Sequence, residues 1–364
     1  MNFRPAPKND GIALIVVMIA IAVLMGLAFA FAFSMKIETR LASNADSEQQ
    51  MVWLGRAGVE TARWVLAQEA AIPNEPYDSL NQIWAGGPGS LGETNSVLSG
   101  FSLNDIPLGA GRFTLKIVDL ERKVNINAVP PMQLQQVLTV MGVPADSISV
   151  VSDSILDWIS PENAPRPAGA ESDYYQGLTP PYYAKNAPMD DPSELLLVKG
   201  VTPEMYWGGS AGDHAPAAFQ HKLGFGNAPG EAPNYPFGLK DIFTPISAGK
   251  ININTADANV LQTIPGVDAQ AAADIIKRRA GPDGMDGTDD DTPFRSPGEL
   301  AGIDPQVTQQ VLSQLCDVRS RTFEVHILCQ LGNYHREYVA ILWRNTPQDI
   351  RVLGFWWQSK ESGS

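Results

Sequence analysis

Residues 281–293 read Gly-Pro-Asp-Gly-Met-Asp-Gly-Thr-Asp-Asp-Asp-Thr-Pro, so Asp283, Asp286, Asp289, Asp290 and Asp291 crowd into one glycine-rich loop. Such like charges repel unless water or a cation neutralises them, and calcium accepts about 6 to 8 oxygen ligands in irregular geometry. EF-hand spacing and its terminal glutamate are absent, which leaves a candidate structural calcium loop, with a solvated acidic loop as the alternative. A weaker, more dispersed candidate comprises Asp157, Glu162, Glu171 and Asp173, bracketed by proline and aromatic residues. Metal at either place would neutralise charge and lock a loop, a structural task. His214, His221, His326 and His335 show no metal-ligand spacing, and no nucleophile elbow, zinc signature or phosphate loop is present. The chain therefore reads as a non-enzyme.

Both acidic stretches occupy corresponding places in a duplicated unit. Lys123-Val-Asn-Ile-Asn-Ala128 returns as Lys250-Ile-Asn-Ile-Asn-Thr255, followed in each copy by a helical stretch, a Gly-Val turn, the acidic loop, and Pro192-Ser-Glu-Leu195 or Pro297-Gly-Glu-Leu300. Four landmarks in one order mark a repeat. Asn125 and Asn252 end extended stretches, and Asn127 and Asn254 are placed as turn or N-cap residues. The predicted units are residues 123–205 and 250–318, with residues 206–249, rich in Gly, Pro and Ala, as the linker. Leu261 to Asp268, with Ala272, Ile275 and Arg279, resembles a helix-hairpin-helix (SAM-like) module, which in other proteins grips DNA phosphate. Asp268 stands where phosphate-binding hairpins have a second glycine, and the net charge of −14 repels nucleic acid, so the hairpin reads as scaffold. A membrane-tethered, competence-like DNA-binding protein is the alternative function.

Alternating apolar and polar residues predict strands from Arg112 to Leu120, Thr322 to Leu331 and Arg336 to Arg344, the last two forming a hairpin. These bracket the duplicated unit, so residues 69–122 and 319–364 would together build one small sheet with a helical insert. Cys329 shares an apolar strand face with Phe323, Val325 and Ile327. Core packing and, in an oxidising compartment, a Cys316–Cys329 disulfide are both open readings. Residues 12–33 carry no charge, enough apolar helix to span a bilayer. Beyond them Leu41, Met51, Leu54, Gly58, Ala62, Val65 and Leu66 recur at helical spacing, so one helix over residues 12–68 emerges from a span at 12–35. At 1.5 Å per residue it would be about 85 Å long, and its outer half must contact protein.

The leader with Arg4 and Lys8, then Gly11 and the start Ile12-Ala-Leu-Ile-Val-Val, resembles the type IV pilin and pseudopilin class. That resemblance implies a leader over residues 1–11, prepilin peptidase cleavage between Gly11 and Ile12, methylation of the new terminus, and a bulk domain in the periplasm below a single inner-membrane span. The class carries a glutamate at the fifth mature position, where this chain has Val16. That departure, with Asp157-Trp158-Ile159, Gly169-Ala170-Glu171, Tyr174, Tyr182-Tyr183, Asn186, Glu194-Leu195, Gly200 and Asn252-Ile253-Asn254-Thr255-Ala256, makes the chain similar to the K-type minor pseudopilins of type II secretion. The family implies an α+β fold, its long helix packed on a small antiparallel pilin-like sheet. It also implies a place at the pseudopilus tip, capping and helping initiate a filament that exports folded proteins. The implied partners are the I- and J-type minor pseudopilins, through them the major pseudopilin, and the secretin or exported protein, with no nucleic acid; structural calcium is the implied cofactor.

Overall fold

The computed structural model describes residues 10–90, 92–93, 96–209, 235–302 and 307–358. In chain order the strands are β1 (Ile106–Leu108), β2 (Gly111–Asp119), β3 (Val124–Asn125), β4 (Phe243–Thr244), β5 (Ile251–Asn252), β6 (Cys316–Asp317), β7 (Thr322–Leu331), β8 (Tyr334–Thr346) and β9 (Asp349–Gln358). The helices are α1 (Asp10–Ala70), α2 (Pro131–Met141), α3 (Ala145–Ile159), α4 (Ser172–Gln176), α5 (Pro203–Trp207), α6 (Leu239–Ile242), α7 (Ala258–Leu261), α8 (Ala269–Arg279) and α9 (Gln309–Leu315).

The long helix α1 has two halves with different surroundings. Its amino-terminal half is apolar and exposed, with a mean hydropathy of 3.1 in a stretch that buries nothing, and it is long and apolar enough to cross a membrane. In its second half Met51, Leu54, Val59, Ala62, Val65 and Leu66 are buried. The protein they contact is the chain's own five-stranded antiparallel sheet, ordered β1-β2-β7-β8-β9. Phe113, Leu115 and Ile117 of β2, Phe323, Val325 and Ile327 of β7, and Tyr338, Ala340 and Leu342 of β8 complete that core. An added Cβ on Gly58 would lie 2.4 Å from Ile327 Cγ2, so this close helix-on-sheet approach needs a glycine. The sequence pattern foresees β2, β7 and β8. It leaves β9 open, and this strand extends the sheet with ten residues carrying Trp356 and Trp357.

Between β2 and β7 the chain leaves the sheet to build a mainly helical insert. Each copy of the repeat opens on a short strand in parallel pairing with a strand that closes the same copy: β3 with β4, and β5 with β6. The first copy therefore runs on to Thr244, and α6 and β4, read as linker from sequence, belong to it; residues 210–234 of that stretch lie outside the described residues. The paired asparagines do the same work twice. Asn125 Oδ1 accepts from Asn127 N at 2.8 Å and Asn252 Oδ1 from Asn254 N at 2.9 Å, closing matching turns. Asn127 then exchanges two hydrogen bonds with the backbone of Met189, and Asn254 two with Phe294. They are clasps on the segment after each acidic loop, not helix caps; the cap of α7 is Asp257, which accepts from Val260 N. Both copies contribute to one apolar core, with Leu134, Leu138 and Ile155 from the first and Val260, Leu261 and Ile275 from the second.

Insert and sheet meet at a buried polar joint at the end of the sheet farthest from the apolar half of α1. Arg344 of β8 donates to Asp78, to Ser320 O at 2.8 Å and to Leu66 O at 3.3 Å, with Arg344 4% and Asp78 1% exposed. Asp119, at the end of β2, accepts from Ser320 Oγ at 2.6 Å, Thr255 Oγ1 at 2.5 Å and Asn252 Nδ2 at 3.2 Å. Removing one partner of such a pair strands the other's charge without water. Arg344→Leu is expected to cost roughly 3–5 kcal/mol of stability in denaturant unfolding of the detergent-solubilised full chain. Part of that loss should return in the Asp78→Leu/Arg344→Leu double variant.

A second buried acidic cluster secures the segment after α1. Glu69, in the last turn of α1, accepts from Trp84 N through Oε1, and its Oε2 is buried with no donor. Beside it Glu93 accepts from Ile83 N at 3.0 Å and from Ser90 N. Burial, then the adjoining Glu93 carboxyl, pushes the Glu69 pKa from its ordinary 4.5 up to about 11. The folded chain thus keeps a proton that the unfolded chain releases above pH 4.5. That contribution to stability is complete below pH 4.5 and is lost as pH climbs toward 11. Thermal melts from pH 5 to about pH 9 should show a falling midpoint. Glu69→Gln, whose amide supplies the missing donor at every pH, should flatten that slope.

Candidate functional site

The two acidic loops behave differently once folded. In the second copy Asp286 is not free for a cation, because both of its oxygens face Arg279, which donates from Nε at 2.9 Å and from the guanidinium terminus at 2.7 Å. Arg279 ends α8 with its side chain 4% exposed, and its other terminal nitrogen donates to Ile253 O at 2.7 Å and Ala256 O at 2.8 Å. Asp286 is therefore the counter-charge of a buried arginine that pins α8 to the strand of its own repeat. The neighbouring carboxylates close turns: Asp283 accepts from Met285 N, Asp290 from Asp283 N and Thr288 Oγ1, and Asp291 from Gly287 N. Those bonds hold the Asp290 carboxyl below its ordinary pKa, whereas burial raises that of Asp291. Among the described residues no three His, Cys, Asp or Glu side chains converge as a metal-holding group. The loop read as the stronger calcium candidate already spends four of its five carboxylates on its own fold, and the fifth, Asp289, is exposed.

In the first copy the order of merit reverses. Asp157, on α3, is fully buried and accepts from the Arg166 guanidinium at 2.7 Å and from Arg166 N at 3.1 Å. A Cβ on Gly169 would lie 1.8 Å from Asp157 Oδ2, so the loop backbone is drawn hard against this carboxylate. Glu171, 6% exposed, has both carboxylate oxygens buried with no donor. Asn186 donates through Nδ2 to Asn163 Oδ1 at 2.9 Å, which leaves its own Oδ1 buried and unpartnered. Burial raises the Glu171 pKa, with the Asn186 amide opposing and the Asp157 charge adding. A cavity of about 240 Å³ opens here, lined by Asn163, Gly169, Glu171 and Asp173 among others. In the same copy Trp158 lies 5.3 Å from Tyr175 and Tyr175 5.2 Å from Tyr182, an aromatic cluster that ties α3 to α4. Orphaned oxygen acceptors suit a hard cation, so this donor set fits calcium better than the second loop does. Glu162 and Asp173 remain exposed, and the residue that sequence reasoning missed is Asn186, identifiable beforehand only as a family landmark.

The remaining candidates resolve plainly. Cys316 and Cys329 are free, buried thiols in separate cores, Cys316 in the insert and Cys329 under α1, so the disulfide reading is corrected and core packing stands. Burial pushes both thiols up to about 12, which keeps them protonated. In the helix-hairpin-helix, Asp268 caps α8 by accepting from Ala271 N at 2.8 Å. Of the basic run ending α8, Arg279 is buried, Arg278 is engaged by Thr292 and Glu299, and Lys277 is exposed. Gly11 and Ile12 lie within α1 at the boundary of the described residues, and leader residues 1–9 lie outside them.

This architecture has known counterparts. Residues 103–207 match the family described as type II secretion system (T2SS), protein K. The type II secretion system protein K of Pseudomonas aeruginosa is 25% identical over 357 residues, covering 94% of this chain and 91% of that one. The protein K of Aeromonas hydrophila is 28% identical over 211 residues, covering 55% and 61%. A chain in the crystal structure of the GspK-GspI-GspJ complex from enterotoxigenic Escherichia coli has the same fold, with a TM-score of 0.60 at 19% identity over 87% of this chain and 99% of that one. With the apolar helix, the five-stranded sheet and the insert between β2 and β7 all in place, the chain is similar to type II secretion system protein K along nearly its whole length and shares the fold of the solved GspK chain.

Proposed function

We propose that this subunit caps and helps initiate the pseudopilus, held in the inner membrane by α1 with its bulk in the periplasm, and that its work is assembly rather than catalysis. The observation that carries this reading is the position of the insert. It joins the sheet through Asp119 and Thr322, at the end where α1 terminates, opposite the apolar half that enters the membrane. A filament grows by stacking subunits along α1, and a domain of this size over the far end leaves no room for another subunit above. Val16 supports the same place, since a carboxylate in a bilayer is kept only against a compensating charge, and this chain offers none to a subunit above it. The partners are then the I- and J-type minor pseudopilins and through them the major pseudopilin, with the secretin or exported protein reached by the outer surface of the insert.

Mass spectrometry of the membrane-extracted protein is expected to find a mature chain starting at a methylated Ile12, released by prepilin peptidase after Gly11. The tagged full chain should retain I- and J-type pseudopilins in mild detergent. Cleavage beyond the apolar stretch, or no retention of either partner, would overturn the assembly reading.

Structural calcium belongs to the same proposal, with Glu171 and Asn186 as the side chains that would hold it beside Asp157. The ion would supply the positive charge that these buried acceptors lack, locking the loop between α3 and α4. At a concentration about 100-fold above its dissociation constant a ligand adds ~2.7 kcal/mol to stability. Added calcium should raise the melting midpoint of the wild-type chain, and Glu171→Gln should abolish the rise while leaving the chelated protein at least as stable. A rise abolished instead by Asp283→Asn with Asp290→Asn would place the ion in the second loop.

A further inference from the structure

The two edges of the sheet are treated differently. β1 closes one edge with three residues, one of them Pro107, which cannot donate a hydrogen bond. Shortness and proline are among the devices by which proteins blunt an edge against unwanted pairing. At the other edge β9 has ten residues, and after Arg351 its sequence is Val-Leu-Gly-Phe-Trp-Trp-Gln, without a charge or a proline. Val352 is 41%, Leu353 55%, Trp356 46% and Trp357 58% exposed. Among the described residues β9 pairs only with β8, so one side of its backbone has no strand partner. The register slips twice, between Asp349 and Ile350 and again between Val352 and Gly354, and from Gly354 to Gln358 the pairing with β8 is regular, which keeps the outward backbone groups of that stretch in strand geometry.

The direction of β9 restricts what can reach it. Ile350 O accepts from Arg63 Nε of α1 at 3.1 Å, Phe355 lies beside Gly55, and Trp357 stacks under Arg336, which pairs with Glu48 at 3.0 Å. The strand thus descends along the flank of α1 toward the membrane. A protein anchored in the same bilayer by its own helix, parallel to α1, approaches from the side and meets this edge along its length. Joint anchoring also raises the effective concentration of the two domains, so a short strand pairing suffices.

We infer that the β9 edge is the lateral docking surface for a neighbouring minor pseudopilin, which adds an extended segment to the sheet at Gly354–Gln358 and buries Leu353, Trp356 and Trp357. Main-chain hydrogen bonds supply the register, and the two tryptophans, on opposite faces of the strand, grip the added segment from both sides. The inference rests on the assembly reading above and specifies the surface that it uses.

The test uses the full chain in membranes together with the I- and J-type pseudopilins, extracted in mild detergent. Leu353→Lys combined with Trp356→Lys places edge charges where a pairing strand would lie. Retention of one partner should fall at least about tenfold, as expected when buried aromatic anchors are lost, with the melting midpoint held. A photo-crosslinking residue at position 353 in the otherwise wild-type chain should join it to that same partner, and this arm decides the matter if the lysines unsettle the fold. Undiminished retention with no crosslink from position 353 would overturn the docking surface while leaving the assembly reading intact. A wild-type chain that retains neither partner would sink the assembly reading itself. A crosslink only between two copies of this chain would overturn the inference by making the occupant a second copy.

Discussion

Asp78, Asp119 and Arg344 lie within a few residues of every junction in the molecule: the end of α1, the end of β2, the start of β7, and the second copy of the repeat. None of the three is more than 4% exposed. Ions removed from water must find their hydrogen bonds inside the protein or the fold fails there. Here they do, and the partners come from different parts of the chain. Leu66 belongs to α1, Ser320 to the return from the insert, and Asn252 and Thr255 to the repeat. Burial raises the Asp119 pKa, and the hydroxyls of Ser320 and Thr255 oppose that rise. An apolar joint would resist separation as firmly, but it would not fix orientation. Directed hydrogen bonds to one carboxylate set the angle at which the insert stands on the sheet.

The duplication acquires its meaning at that joint. Both copies use the same clasp, an asparagine turn followed by an asparagine that holds the backbone after the acidic loop. They differ in what the first asparagine of each pair does with its amide. Asn125 donates to Ser247 O within the insert, whereas Asn252 donates toward Asp78, Asp119 and Ser320. The second copy is therefore the one bolted to the pilin domain, and its acidic loop is braced by Arg279. The first copy has no such duty. Its loop keeps a cavity and an unanswered glutamate instead.

Much of this architecture can be read from residue order, because the signals involved are local or repeated. The uncharged residues 12–33 announce α1, alternation in β2, β7 and β8 announces the sheet, and matching landmarks announce the duplicated insert. What escapes is decided by distance in the fold. Val352 to Trp357 lacks alternation because both faces of β9 carry large apolar groups, so the edge strand hides in plain composition. β4 and β6 are two residues each, too short to leave a pattern. Counting carboxylates favours the loop with five aspartates, yet a count does not say which oxygens the loop's own amides and Arg279 will claim. The orphaned Glu171 shows only when Asn186, fifteen positions on, folds back beside it.

An uncharged apolar helix of this length constrains how recognition can work. From Ile12 to Phe33 no side chain carries a charge, so nothing in the span prefers one neighbouring helix through a buried ion pair. Packing among such helices is governed by shape, and many partners have similar shapes. Specificity must then come from the folded domain, where hydrogen-bonding groups and aromatic side chains stand at fixed positions. α1 delivers those groups by continuing unbroken from its apolar stretch into the sheet core, so that Met51 and Leu66 tie the position of the domain to that of the stretch. The helix supplies proximity and orientation, and the surfaces beside it supply choice.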